Sequence, residues 1–404
     1  MRERLKNFAG LPNAAVLGFF VSMISATFDT PASAAEVTVP GTTVTFKPYI
    51  EGEGGYDTNP DGLFRKVESS FEKVEGGLSV KAKAPKETYE LFLKAREVHF
   101  DDLDRENRWD FKAALDTSFE VSDTAKLNFG TYFLRDFFSL DRVDIVQSYG
   151  EYALREDTYR VKVEAKSHVE HNIGSDIILP GEILDDFNVS KGEAFDYSRT
   201  DGKVSAIIFT KSLIQPFAIY DFGNLDYYNQ VAGASINRDA NEQFVVAGVR
   251  LDFDKTFRVD IGGRYNHREF DDINVVKNFD RGFIDINAYW KPTDAFKATF
   301  IVERFLKEPS TSFGQADDVR SVGLTADYRI DQYWRLNLAS YYDRVEAIGD
   351  DRRYNRYTTT AAITYEPNSS VEIFLSGLAK WVDEEVTDRS YSRFKIGSGV
   401  RYKF

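Results

Sequence analysis

Residues 159–170 read YRVKVEAKSHVE. Tyr159, Val161, Val163, Ala165 and Val169 alternate with Arg160, Lys162, Glu164, Lys166, His168 and Glu170. Successive side chains of a β-strand point to opposite faces, so this segment predicts a strand with one apolar and one ionic face. A soluble sandwich also alternates, but it buries its apolar faces against a second sheet and rarely keeps many two-faced strands in one chain. The number of such segments and the way they are joined therefore decide the fold.

The same reading continues in both directions. Between Val44 and Phe404 it gives eighteen segments of roughly 9 to 14 residues with period-two alternation, from Val44–Tyr56 and Phe71–Ala84 to Val371–Trp381 and Tyr391–Phe404. In the eleventh, Phe257, Val259, Ile261 and Tyr265 oppose Arg258, Asp260, Arg264 and Asn266. Short turns at Lys86, Ser122-Asp123, Glu156-Asp157, Lys211-Ser212, Asp254-Lys255, Pro292-Thr293, Ile330-Asp331 and Pro367-Asn368 alternate with longer polar loops. Transmembrane barrels join their strands in this way, and an even strand count returns both ends to one side. The expectation is an all-β fold, a transmembrane antiparallel up-and-down β-barrel of about 18 strands. Its mean hydropathy of −0.40 beside 15% aromatic residues fits, because lipid-facing and lumen-facing residues cancel in the average.

The first residues follow a different pattern. Arg2, Arg4 and Lys6 precede an apolar run from Ala14 to Ala26, then Pro31 and Ala32-Ser33-Ala34. This is the order of a secretory signal peptide, and the run is shorter than the roughly 20 residues a spanning helix needs. Expected boundaries are a signal peptide at 1–34, a short periplasmic segment at 35–43 and an outer-membrane barrel at 44–404. The formal charge of −14 argues against a nucleic-acid partner. With no cysteine, disulfides, thiolate metal sites and cysteine nucleophiles are excluded.

The last segment places Phe394, Ile396, Val400, Tyr402 and Phe404 on one face, with Arg393, Lys395, Arg401 and Lys403 on the other. Gly399, Tyr402 and Phe404 resemble the closing strand of outer-membrane proteins, which the barrel-assembly machinery reads; Gly397 stands where that pattern usually has a polar residue. The opening strand and its loop, PYIEGEGGYDTNPDG from Pro48 to Gly62, resemble the start of the β-barrel porin 2 family, in which a strand runs into a Tyr-Asp-x-Asn-Pro turn. That resemblance implies a proteobacterial outer-membrane barrel, often associated with exopolysaccharide secretion loci, and brings no catalytic motif.

Several groups could carry function. Asp57, Asn59, Asp61 and Glu68, with Gly62, have the spacing of a calcium loop, although the segment joins strands instead of helices and equally suits an ordinary turn. No serine, histidine and acid stand out as a nucleophile with its base, and no enzyme is expected. On the ionic face, Lys94, Arg96, Arg160, Lys162, Glu164, Lys166, Arg250, Asp252, Arg258, Asp260, Arg264, Asp285, Asp327, Arg335, Arg393, Lys395 and Arg401 are predicted to line the lumen. Ions facing lipid would cost a few kcal/mol each, so this face implies an aqueous or ion-paired interior. Tyr49, Phe92, Tyr132, Tyr149, Tyr289 and Tyr341 share it and could stack on sugars. The long loop from His171 to Asp196 combines Ile177, Ile178, Leu179, Ile183 and Leu184 with Asp176, Glu182, Asp185 and Asp186, and could fold inward as a constriction.

The functional expectation is an outer-membrane pore for a surface or extracellular polysaccharide. General or solute-selective diffusion, and a closed barrel with a structural or adhesive role, are the alternatives. Expected partners are outer-membrane lipid, the barrel-assembly machinery, and polysaccharide with its export proteins.

Overall fold

The computed structural model describes residues 35–39, 42–59, 68–101, 107–138, 141–173, 197–227, 239–253, 256–271, 278–307, 316–349, 351–385 and 390–404. All regular structure in them is β: β1 (Ala35–Val39), β2 (Thr42–Asp57), β3 (Ser69–Lys83), β4 (Glu87–Phe100), β5 (Arg108–Glu120), β6 (Ala125–Phe138), β7 (Asp141–Arg155), β8 (Tyr159–Ile173), β9 (Tyr197–Ile208) and β10 (Ile214–Tyr227). The second half continues with β11 (Ala240–Phe253), β12 (Phe257–Phe270), β13 (Phe279–Thr293), β14 (Phe296–Lys307), β15 (Ala316–Arg329), β16 (Trp334–Ile348), β17 (Arg353–Asn368), β18 (Val371–Glu384) and β19 (Tyr391–Lys403).

Each strand from β2 to β19 pairs antiparallel with its chain neighbours, and β19 returns to β2 with Lys403 opposite Tyr49 and Lys395 opposite Asp57. The result is a closed eighteen-stranded up-and-down barrel, as the alternation predicts. Closure pairs each strand on both sides along most of its length, as crossing a bilayer with strands requires. With a first strand from Val44 and a last strand to Phe404, the sequence predicts closure with Phe404 near Val44, and the observed register differs. The Phe404 amide donates to the Pro48 carbonyl at 3.1 Å instead of lying beside Val44, because β1 occupies that stretch: Ala35 pairs with Phe46 and Val39 with Thr42. The N-terminal segment thus adds a short nineteenth strand beyond the end of β19.

One end of the barrel carries tight turns, and their sequences show why. Asp331 accepts the amides of Tyr333 and Trp334 at 2.7 and 2.8 Å, and Asn368 those of Ser370 and Val371 at 2.9 and 3.0 Å. These side chains mimic a backbone turn and reverse the strand. At the other end the connections are generally longer, except that residues 139–140 alone join β6 to β7, where the alternation of turn and loop predicted more. Strands also run past their expected ends toward the loops, to Ile173, Tyr227 and Lys307.

The two faces of the wall divide as predicted. Ile261, Ile284, Phe300, Leu324, Leu336 and Leu375 are exposed on the convex side. Aromatic pairs ring the turn end of that side: Trp290 with Phe296 at 5.3 Å between centroids, Phe296 with Tyr328 at 6.0 Å, and Trp334 with Tyr365 at 4.7 Å. Toward the loop end Tyr342 meets Tyr357 at 4.8 Å and Trp381 meets Phe394 at 5.3 Å. These are interfacial girdles around an apolar belt. Leu324→Arg should therefore cost about 2–4 kcal/mol, and Thr325→Arg, one residue along and facing the lumen, much less. Equilibrium unfolding in lipid vesicles measures the difference.

The wall is not a uniform cylinder. β13 and β14 pair from the turn end only as far as Ile286 opposite Val302. Beyond that point the even-numbered side chains of β14 no longer face outward. Arg304 lies over the inward-facing ring of Phe279 at 5.9 Å, and Leu306 packs with Phe270, Phe279, Ala240 and Ala316. The opposite face of the same tip, at Phe305 and Val319, packs with Val345, Tyr354, Val382 and Tyr391. Ala316, Asp317, Asp318 and Val319 are consequently all buried. The loop end of β14–β15 is tucked inside β11–β13, so that the wall overlaps itself there.

Candidate functional site: the ion-paired lumen

The predicted lumen residues share the concave face, and cross-strand register determines their partners. On adjacent strands opposed positions lie about 4.5–5.5 Å apart, close enough for opposite charges to meet. Arg250 of β11 stands opposite Asp260 of β12 and binds it bidentately at 2.7 Å on both arms. Arg96 is opposite Asp110 (2.6 Å), Arg335 reaches Asp327 (2.6 Å) and Arg264 reaches Asp285 (2.5 Å). Lys94 pairs with Glu75 at 3.2 Å, and Lys162 with Glu151 and Glu164 at 2.6 and 3.0 Å, with Lys166 at 3.9 Å from the same Glu164. Asp252 accepts from Gln215 at 3.3 Å. Arg258 has no carboxylate partner among the described residues and stacks over Tyr289 at 5.6 Å; Arg160, also without one, faces the lumen near it.

The pairs that sequence reasoning missed need the three-dimensional register. Arg356 binds Asp343 at 2.8 Å, Arg199 and Arg268 share Glu242 at 2.9 and 3.0 Å, and Arg304 forks onto Asp318, with Nε at 2.6 Å. Arg356 with Asp343 and Arg268 with Glu242 could be found by pairing opposite charges on neighbouring strands, whereas Arg199 reaches Glu242 across the intervening β10. Arg304 and Asp318 could not, since parity places them outward.

Asp57 has a different role from that of a cation ligand. Fully buried, its carboxylate accepts from Arg393 at 2.6 and 3.1 Å and from the Asn59 amide at 3.1 Å. The first oxygen donor of the calcium reading is thus held by a guanidinium across the closing seam. Glu68 accepts from the Tyr56 hydroxyl, and Asp61 lies outside the described residues. Asp176, Glu182, Asp185 and Asp186 lie outside them too, as do residues 1–34. No group of three or more metal-ligating side chains comes together among the described residues.

The inward aromatics are tied into the same lattice. Tyr49 donates to Glu75 at 2.7 Å, Tyr149 to Asp116 at 2.6 Å, and Tyr132 to Gln147 at 2.8 Å, while Lys112 sits over Tyr132 at 5.5 Å. At the closing seam Arg401 binds Glu51 at 2.5 Å and Glu372 at 3.1 Å. Tyr402 and Phe404 form an edge-on pair at 4.8 Å on the outer side. Gly399 has a structural reason of its own: a Cβ there would fall 2.3 Å from the Gly52 carbonyl oxygen and 2.6 Å from the Phe374 ring. Gly399→Val should therefore lower the yield of closed, heat-resistant barrel, while Gly263→Ala, with open space around it, should leave it unchanged; a gel-mobility assay with and without boiling reads both.

A closed barrel with an apolar belt outside and paired ions inside is porin-like. The chain belongs to the family described as "Putative beta-barrel porin 2", whose model matches residues 41–404. Among solved structures it is similar in fold to OccK2 (OpdF) from Pseudomonas aeruginosa, crystallised with glucuronate, at 9% identity and a TM-score of 0.48 over 89% of this chain and 98% of that one. It is also similar to the siderophore receptor PirA, from P. aeruginosa at 9% identity and a TM-score of 0.45, and from Acinetobacter baumannii at 8% and 0.46, each over 89% of this chain and 80% of the other. No curated protein matches the chain in sequence.

Proposed function

We propose that this protein is a pore of the Gram-negative outer membrane, exported by a signal peptide at 1–34, and that it passes a surface or extracellular polysaccharide. The observation that carries the pore reading is the division of the wall into an apolar convex face and an ionic concave one, on eighteen strands. Barrels of that strand number enclose more space than side chains alone fill. The polymer is suggested by hydroxyl, amide and aromatic groups among the inward ions, and by the association with secretion loci that the family resemblance implies. Its partners on this reading are membrane lipid, the assembly machinery and the polymer's export proteins, and it performs no bond chemistry.

A strain lacking the gene is expected to secrete markedly less polymer, with recovery on complementation, while the purified protein conducts in a planar bilayer. Normal polymer output from a conducting pore would move the assignment to solute diffusion. Absence of conductance from well-folded protein would favour the structural or adhesive role.

A further inference from the structure

Midway through the lumen, against β14–β19, the wall recedes into a cavity of about 480 Å³. Small-molecule sites occupy roughly 300–1,000 Å³. Its lining departs from the rest of the lumen. Thr325, Asn337, Ala339, Thr360, Ala362 and Ser376 replace the long charged side chains with short hydroxyl, amide and methyl groups. Short residues on four adjacent strands, β15 to β18, leave room, and their polar atoms offer hydrogen bonds in several directions.

The charges around this chamber are not balanced. Its two carboxylates are already engaged: Asp327 by Arg335 and Asn337, each at 2.6 Å, and by Lys297, which also lines the chamber, at 4.0 Å, and Glu53 by Lys73. Lys395 lines the chamber, and Lys380 lies diagonal to it on β18, one inward position nearer the loop end. Both are partly buried. Neither has a carboxylate oxygen within 4.0 Å among the described residues; their ammonium groups rest on rings, Lys395 at 4.1 Å from the Phe71 centroid and Lys380 at 5.3 Å from that of Tyr391. The nearby guanidiniums of Arg356 and Arg393 are matched by Asp343 and Asp57. The two lysines are therefore the surplus cations.

We infer that the chamber is a binding site for an anionic, polyhydroxylated solute, such as a sugar acid or an acidic segment of a polysaccharide. The carboxylate would meet Lys380 and Lys395, and the hydroxyls would meet the Thr, Ser and Asn side chains. Charge-assisted hydrogen bonds are the stronger kind, and here they would form without breaking an existing ion pair. This refines the pore reading by naming the class of cargo, and rests on that reading only for the route by which the solute arrives.

Binding is measured by calorimetry on the purified full-length barrel in detergent, with tri-galacturonate and maltotriose as probes. The acidic trimer should bind about tenfold or more tightly than the neutral one, and Lys380→Gln with Lys395→Gln should lose about that factor for the acidic trimer alone. Its affinity should also fall as KCl is raised. Equal affinity for the two trimers, no binding of either, or an unaffected double variant would overturn the inference. Should the Gln variant not fold, Lys380→Arg with Lys395→Arg must retain acidic preference, and the salt dependence of the unmodified protein still decides. Conductance in KCl without sugar tests the pore separately: a conducting barrel that ignores tri-galacturonate refutes the site alone, and a silent barrel that binds it refutes the pore alone.

Discussion

Arg393→Ala is expected to destabilise the barrel by about 3–5 kcal/mol, the scale for removing one partner of a buried ion pair. Asp57 has no solvent exposure, and its charge is compensated by the Arg393 fork and one backbone amide. Without the guanidinium, a carboxylate stays in the interior at the point where β19 joins β2, and that junction closes the whole cylinder. Urea unfolding in lipid vesicles should show the loss. The double variant Asp57→Leu with Arg393→Leu should recover most of it, because replacing both members of such a pair by apolar residues is often close to neutral. If the single variant were as stable as the parent, the seam would owe its strength to backbone pairing alone.

The second large effect is expected at the tucked tip of β14–β15. Arg304 and Asp318 are both buried, and the fork between them joins the two strands of the tip. Arg304→Ala leaves the buried Asp318 with only the longer contact to Arg320 at 3.9 Å, a loss of at most about 3–5 kcal/mol, but the strain has a local outlet. The tip can leave the lumen and hydrate Asp318. The expected result is a barrel that still forms, with a larger unitary conductance and a new protease-sensitive site between 303 and 321. Replacing both ions by leucine should keep the tip in place and the conductance near that of the parent. A protease pattern and conductance unchanged in Arg304→Ala would mean that apolar packing alone holds the tip.

Much of this architecture is legible in the sequence. Alternation is a local property, so YRVKVEAKSHVE already determines which side chains share a face, and Asp331 and Asn368 mark reversals through bonds to amides two and three residues on. Strand order follows from short connections, which leave antiparallel neighbours no alternative. The pairings of ions are less legible, because they depend on register: Arg250 meets Asp260 only because the turn between β11 and β12 sets them opposite each other. The overlap of the wall is not legible from alternation at all. Parity sends Arg304 and Asp318 outward, and the expected strands stop at Arg304 and resume at Arg320, which leaves the tip within a supposed loop. The clue lay in the conflict itself: an arginine next in line after Ala298, Phe300 and Val302 on a lipid-facing row is costly there. The chain avoids that cost by turning the row inward. The constriction expected from His171–Asp196 rests on residues 174–196, which lie outside the described residues.

The overlap between β13 and β14 also gives the cylinder a mechanical property that a continuous ladder lacks. In a fully paired barrel the circumference is fixed by strand number and shear, and no strand can shift without breaking hydrogen bonds along its length. Where β14 passes under β13 no such ladder spans the two, and the contact is made by Leu306 against Phe279 and Phe270 and by the Arg304 guanidinium over the Phe279 ring. Side-chain contacts of that kind tolerate sliding better than a hydrogen-bonded register. The overlap therefore leaves the loop-end half of the wall joined at this point by side chains, while toward the turn end β13 and β14 stay paired from Ile286 opposite Val302 to Thr293 opposite Phe296.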